Sequence, residues 1–326
     1  MTDQLSKINK LVNIAETKDV NLFFINRKKN QSTKDIDYSI QIGSIQNEIG
    51  REFLEIVEKQ ITSITKDQFE ITKYLENDDI GCSDCPIIET ILQKDVPNLD
   101  NILSLLSRTN ELINPKKFEG CWGYIVKIYT KENTLFLFKK VHQKKNIHNG
   151  FWGTIISSGI FTKIENSLFF IDTYFDAALL LKNVFASNDS ENNKDSEVLI
   201  FNRNNFERIF DFYDYYKKYV AGNVQQLSSL INDTDFLLEC CNGDVRKLKK
   251  IMRVLKNSSY SSLNSKNIQE ICKNYDLNIN INNDGKIVFE KDKVWSIIRI
   301  LNEDYLKSEI SGNRFISRAK VKQGTN

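Results

Sequence analysis

Between Cys121 and Phe201 the sequence offers one apolar strand after another and no helical period. From Asn204 onward the pattern reverses. "CWGYIVKIYT" (121–130) and "NTLFLFKKVH" (133–142) flank a Lys-Glu turn and read as an antiparallel hairpin. "FWGTIISSGIFTKIEN" and "SLFFIDTYFDAALLLKN" continue the sheet, with a Glu-Asn turn at 165–166. "SEVLIF" (196–201) adds another strand after the polar stretch 186–195. Helical periods then cover 204–231, 243–257, 265–276 and about 293–311. Strands in one block and helices in another do not build alternating βαβ units. The expected fold class is α+β, with antiparallel β-sheets and helices grouped in the C-terminal part.

The first third is mixed. "VNLFFINRK" (20–28) and "DIDYSIQI" (35–42) read as two strands around a polar loop. In 44–64, Ile45, Ile49, Phe53, Ile56, Val57, Ile61 and Ile64 recur every three or four residues, one apolar stripe of a helix. Around "YLENDDIGCSDCP" the pattern dissolves, and 98–112 is helical again. "INPKKFEG" (113–120) holds a proline and a glycine. It is the expected boundary between an α+β domain over 1–115 and a β-rich, then helical, basic domain over 116–326. A chain of 326 residues is long enough for two such domains.

The net charge of +2 conceals a split. Residues 1–114 carry 13 Lys/Arg against 19 Asp/Glu, and residues 115–326 carry 32 against 24. The second part is the candidate face for polyanions. "VRKLKKIMRVLK" places Val245, Leu248, Ile251, Met252 and Leu255 on one side of a helix. Arg246, Lys249, Lys250, Arg253 and Lys256 recur on the other. Such a row can meet phosphates without reading bases. Lys139, Lys140, Lys144 and Lys145 form a second basic cluster. The wide stripe of Phe206, Phe210, Tyr213, Tyr216 and Val220 is a candidate for self-association.

Catalytic motifs are sparse. No phosphate-binding glycine loop, nucleophile elbow or His-Glu-x-x-His occurs, and there are two histidines, His142 and His148. Asp172 and Asp176 are spaced to share one face of a strand and could hold Mg²⁺, which keeps a metal-dependent nuclease as an alternative. Cys82 and Cys85 form a C-x-x-C with no second pair to complete a zinc site. No cofactor is expected. No apolar run reaches a membrane span and the N-terminus lacks a signal peptide's apolar core, so the expected location is cytoplasmic.

"NEDYLKSEISGNRF" (302–315) resembles the ending of the KwaB family of Kiwa anti-phage defence proteins, a YL-S-L/I-TG-x-x-Y/F element. Tyr305, Leu306, Ser308, Ile310, Gly312 and Phe315 hold those positions, and Ser311 stands for the usual Thr. "FNRNNFERIFDFYDYY" (201–216) is similar to the family's FE-x-x-F helix following a strand, and the hairpin 122–141 fits as well. The resemblance implies a cytoplasmic DNA-binding effector of a two-gene defence system. Its partner would be the system's other gene product, a small multi-span membrane protein. The resemblance implies no catalytic motif. Gly312 would end the last helix in the left-handed conformation, Arg314 would partner Glu309, and Tyr305 and Phe315 would pin the coda or join two copies. A homo-oligomer is expected. A non-catalytic scaffold for an acidic partner is the other alternative.

Overall fold

A computed structural model describes residues 19–29, 36–43, 47–66, 69–75, 86–112, 121–131, 133–141, 153–156, 159–164, 167–172, 174–182 and 196–317; the side chains at 47–52, 54, 65, 153–172 and 259 are not described. The strands are β1 (Asp19–Lys29), β2 (Ile36–Gly43), β3 (Glu70–Lys73), β4 (Ile87–Leu92), β5 (Cys121–Tyr129), β6 (Asn133–Lys140), β7 (Gly153–Ile156), β8 (Gly159–Ile164), β9 (Ser167–Asp172), β10 (Ala177–Lys182), β11 (Glu197–Ile200), β12 (Tyr305–Lys307) and β13 (Arg314–Ile316). The helices are α1 (Asn47–Lys66), α2 (Leu99–Arg108), α3 (Arg203–Phe210), α4 (Phe212–Asn223), α5 (Thr234–Cys241), α6 (Val245–Asn257), α7 (Ser265–Asn274) and α8 (Val294–Leu301). The α+β class holds, with most helices after the strands.

Eight strands form one sheet in the order β2-β1-β5-β6-β10-β11-β4-β3, antiparallel except for β3 beside β4. β7, β8 and β9 form a sheet of their own, so the stretch expected to continue the main sheet is divided between two sheets. The chain separates into two compact units, Met1–Tyr74 with Asp84–Asp211, and Leu75–Ser83 with Phe212–Asn326. The boundary expected at 115/116 instead falls inside the large sheet, because β1 pairs with β5 across it. Strand periodicity is local; the pairing that joins the two halves is not.

The central strands of the large sheet are covered on both faces, which is why β6 reads as a nearly unbroken apolar run. Leu135 and Leu137 face a core with Phe53, Val57 and Ile61 of α1. Phe138 points the other way, its ring 5.1 Å from that of Phe210 on α3. Gly123 lets β5 lie close to β6, since a Cβ there would sit 2.7 Å from the Lys139 carbonyl. Burying the Phe53, Tyr124 and Phe175 cluster stabilises this unit by about 1.5–3 kcal/mol per side chain.

The helix expected over 204–231 is broken. Asp211 adopts left-handed backbone (φ 55°) and separates α3 from α4, a conformation that Asp tolerates better than most residues. In the second unit α4 packs on α6, and α6 on α8. Tyr216, Leu248, Ile251, Met252, Ile297 and Ile298 are fully buried. The expected last helix stops at Leu301 rather than near 311, because Glu303 turns left-handed (φ 55°) and the chain continues as the hairpin β12–β13. Gly312 has the expected positive φ (69°), but in that hairpin's turn rather than at a helix end.

Candidate functional site

The basic helix α6 starts where Asp244 caps it, accepting from the backbone N–H groups of Arg246 (3.0 Å) and Lys247 (3.3 Å). It ends at Ser258 in left-handed backbone. Leu248, Ile251, Met252, Val254 and Leu255 are buried, as the apolar stripe requires. The cations do not form the single solvated row that their spacing suggests. Lys250 donates to Asp304 at 2.6 Å, and that carboxylate is 1% exposed. Arg253 is buried; burial pushes its pKa down to about 10, with the Asp304 charge opposing that shift. Asn302 fixes the same carboxylate from its other oxygen at 2.7 Å. Two of the five cations are thus committed to the interior by Asp304, a residue that nothing in its local sequence singles out.

The other three remain outward. The Arg246 side chain is 85% exposed and lies 3.8 Å from Asp244. Lys249 is half-buried and Lys256 exposed. Lys256 lies 5.7 and 5.4 Å from the ring centroids of Tyr215 and Tyr219 on α4, where Lys217 and Lys218 are also exposed. Arg246 and Lys256 are ten residues apart, about 15 Å along the helix axis.

The second expected cluster dissolves. Lys139 and Lys140, adjacent on β6, point to opposite faces of the sheet, and both are buried. The Lys139 amine donates to the Tyr174 carbonyl. The Lys140 amine donates to the carbonyls of Trp122 (2.8 Å) and Val141 (2.6 Å) and lies 3.5 Å from the Trp122 ring centroid. Arg27 takes the same indole at 4.6 Å and pairs with Asp211 at 2.7 Å. Lys139 and Lys140 therefore leave the phosphate-contacting set, and Lys144 and Lys145 lie outside the described residues.

Burial pushes the Lys140 amine down to about 8, the charges of Arg208 and Arg27 adding to the fall while Cys121 and Asp176 oppose it. The folded state thus binds fewer protons here than the unfolded chain above pH 8, so this group adds stability as pH rises. Burial also pushes Cys121 and Cys241 up to about 12, which costs stability above the ordinary thiol range. The thiols lose stability over the same range, so the Lys140 contribution is read by difference. In chemical denaturation the stability of wild type minus that of Lys140→Met should rise by roughly half a kcal/mol from about pH 8 to 9, after allowance for solvent screening.

Asp176, expected to share a metal ion with Asp172, is engaged inside the fold. Its carboxylate is buried and accepts from the Lys140 backbone N–H (2.6 Å) and from the Asn205 amide (2.8 Å). Its carbonyl accepts from the N–H groups of Phe201 and Asn202. It thus ties the start of β10 to the end of β6 and the N-terminus of α3. A cavity of about 340 Å³ lies beside it, lined by Gln60, Ser63, Lys139, Asn202 and Asn205 among others. The Asp172 side chain lies outside those described, as do Cys82, Cys85, His142 and His148. Among the described residues no group of three or more His, Cys, Asp or Glu could hold a metal.

Self-association candidates fare unevenly. Phe206, Phe210 and Tyr216 are fully buried within their own chain, so they cannot face a second copy. Tyr213 is half-buried, its hydroxyl shared with Asn242 and the Gly243 N–H. Tyr305 is half-buried with its ring 4.7 Å from that of Tyr275, while Phe315 is 53% exposed. Arg314 bonds to the Asn274 carbonyl and side chain rather than to Glu309.

Among the described residues no helix is long and apolar enough to cross a membrane. No curated protein and no solved structure gives a significant match to the chain. The family model described as "Kiwa protein KwaB-like" matches residues 118–311, a span running from β5 through α3 and α6 into the coda and leaving Gly312 and Phe315 just beyond it. That span is well over half of the chain, and the protein belongs to the KwaB-like family of Kiwa anti-phage defence proteins.

Proposed function

We propose that this chain is the DNA-binding effector of its defence system, acting in the cytoplasm beside the system's membrane-spanning partner protein. The observation that carries the reading is the outward row of Arg246, Lys249 and Lys256 on α6, in a chain of this family. Cations about 15 Å apart along a helix reach several phosphates of a duplex, which carries one charge per about 1.7 Å of its axis. Cations that meet only phosphates give affinity without sequence preference. Family membership supplies the defence role, and the α6 row supplies the physical means by which phage DNA would be engaged.

The test is protection in cells that carry this chain together with its membrane-spanning partner. Arg246→Ala/Lys249→Ala/Lys256→Ala removes three charges from the outward side of α6, and melting temperature and abundance measured beside it separate lost contacts from a lost fold. Plaque numbers should rise toward those of cells without the system. Undiminished protection by the triple variant would remove α6 from the function.

A further inference from the structure

Seven large apolar side chains are exposed among the described residues, and four of them, Leu306, Ile310, Phe315 and Ile316, lie on the β12–β13 hairpin. The register makes the arrangement specific. Tyr305 stands opposite Ile316, Leu306 opposite Phe315, and Lys307 opposite Arg314. Cross-strand partners share a face and next neighbours alternate. One face thus carries Tyr305, Lys307, Arg314 and Ile316. It is tied down where the Tyr305 ring meets Tyr275 and Arg314 holds Asn274. The other carries Leu306 and Phe315, 43% and 53% exposed, and Ile310 in the connecting turn is 100% exposed.

Charge selects the occupant. From Tyr305 to the last residue the sequence has five cations, Lys307, Arg314, Arg318, Lys320 and Lys322, against one carboxylate, Glu309. A second copy would bring like charge against like charge. A DNA backbone would satisfy the cations but leave Ile310, Leu306 and Phe315 in water. An anionic lipid surface satisfies both, with phosphates for the cations and an acyl boundary for the apolar turn.

We propose that the β12–β13 hairpin is a direct membrane-surface anchor: Ile310, Leu306 and Phe315 enter the headgroup–acyl boundary of an anionic bilayer, while the long, exposed Lys307 side chain reaches round the strand to lipid phosphates and Arg314 stays with Asn274. This goes beyond the reading above, in which the chain reaches the membrane only through a protein partner, and it is independent of DNA binding.

The experiment is vesicle co-sedimentation of the purified full chain. Vesicles of phosphatidylcholine mixed with phosphatidylglycerol should carry the protein down, in a salt-sensitive way, and phosphatidylcholine alone should not. Lys307→Ala should weaken the partition about five-fold. Ile310→Ser/Phe315→Ser should weaken it at least about ten-fold, with melting temperature and DNA affinity unchanged because neither side chain is buried in the fold. Equal sedimentation of variant and wild type, or none with anionic vesicles, overturns the proposal. So does a double variant that becomes a smaller particle in sedimentation velocity with unchanged lipid binding, which would make the hairpin an interface between copies of the chain.

Discussion

Arg203→Ala should cost about 3–5 kcal/mol of stability, enough to leave the first unit unfolded or nearly so under ordinary conditions. Arg203, at the first position of α3, reaches back to Glu89 on β4. Its Nε donates to one carboxylate oxygen at 2.6 Å and its Nη2 to the other. Glu89 is 0% exposed and the arginine side chain 7%. Burial disfavours the guanidinium, but the hydrogen bond and charge of Glu89 outweigh it, so the arginine pKa is raised. Alanine at 203 would leave a carboxylate buried and uncompensated, which is far worse than never having had the pair. Glu89→Ala should be similarly harmful. Glu89→Leu with Arg203→Met, which replaces both charges with apolar bulk, should recover most of the loss. Denaturant unfolding of the three variants checks this, and a mild effect of either single change would show that the pair is not a keystone.

Asp304→Ala should be the most damaging change in the second unit, again by about 3–5 kcal/mol, because it strands Lys250 and Arg253 beside an apolar helix core. Asp304→Asn makes the sharper test. It keeps the shape and the Asn302 contact in outline, but releases a cation's worth of charge onto α6. Stability should fall while affinity for a polyanion rises, with a salt dependence steeper by about one unit. A merely structural role for Asp304 would lower both together. Melting temperature and DNA affinity measured on the same preparation separate the two.

Local periodicity makes much of this fold legible. The β1–β2 and β5–β6 pairs, α1, α2 and α6 lie where alternation or a 3.6-residue period places them. What stays hidden depends on partners distant in sequence. β3 and β4 are short and pair in parallel, so neither has a hairpin turn to announce it. β7–β9 have the same local pattern as strands of the main sheet, and only the pairing says which sheet they join. Lysines at the end of an apolar strand read as a solvated cluster, yet Lys139 and Lys140 stay inside because backbone carbonyls reach their amines. In α6 the spacing identifies the cations, but which of them face solvent is decided by Asp304, which lies 54 residues from Lys250. The coda stands out in the sequence as unusual, and it is. A helical reading of it fails because three residues, Asn302, Glu303 and Asp304, stop the helix by turn geometry rather than by a glycine.

Whether the outward cations of α6 hold DNA phosphates can be read from the affinity of the purified chain for a non-specific duplex across a salt series, for wild type and for Arg246→Ala/Lys249→Ala/Lys256→Ala. Log affinity should fall linearly with log salt for wild type, and the triple variant should have a slope shallower by about 0.9 for each phosphate no longer engaged. Parallel lines, or no wild-type binding at low salt, would mean that α6 does not hold DNA.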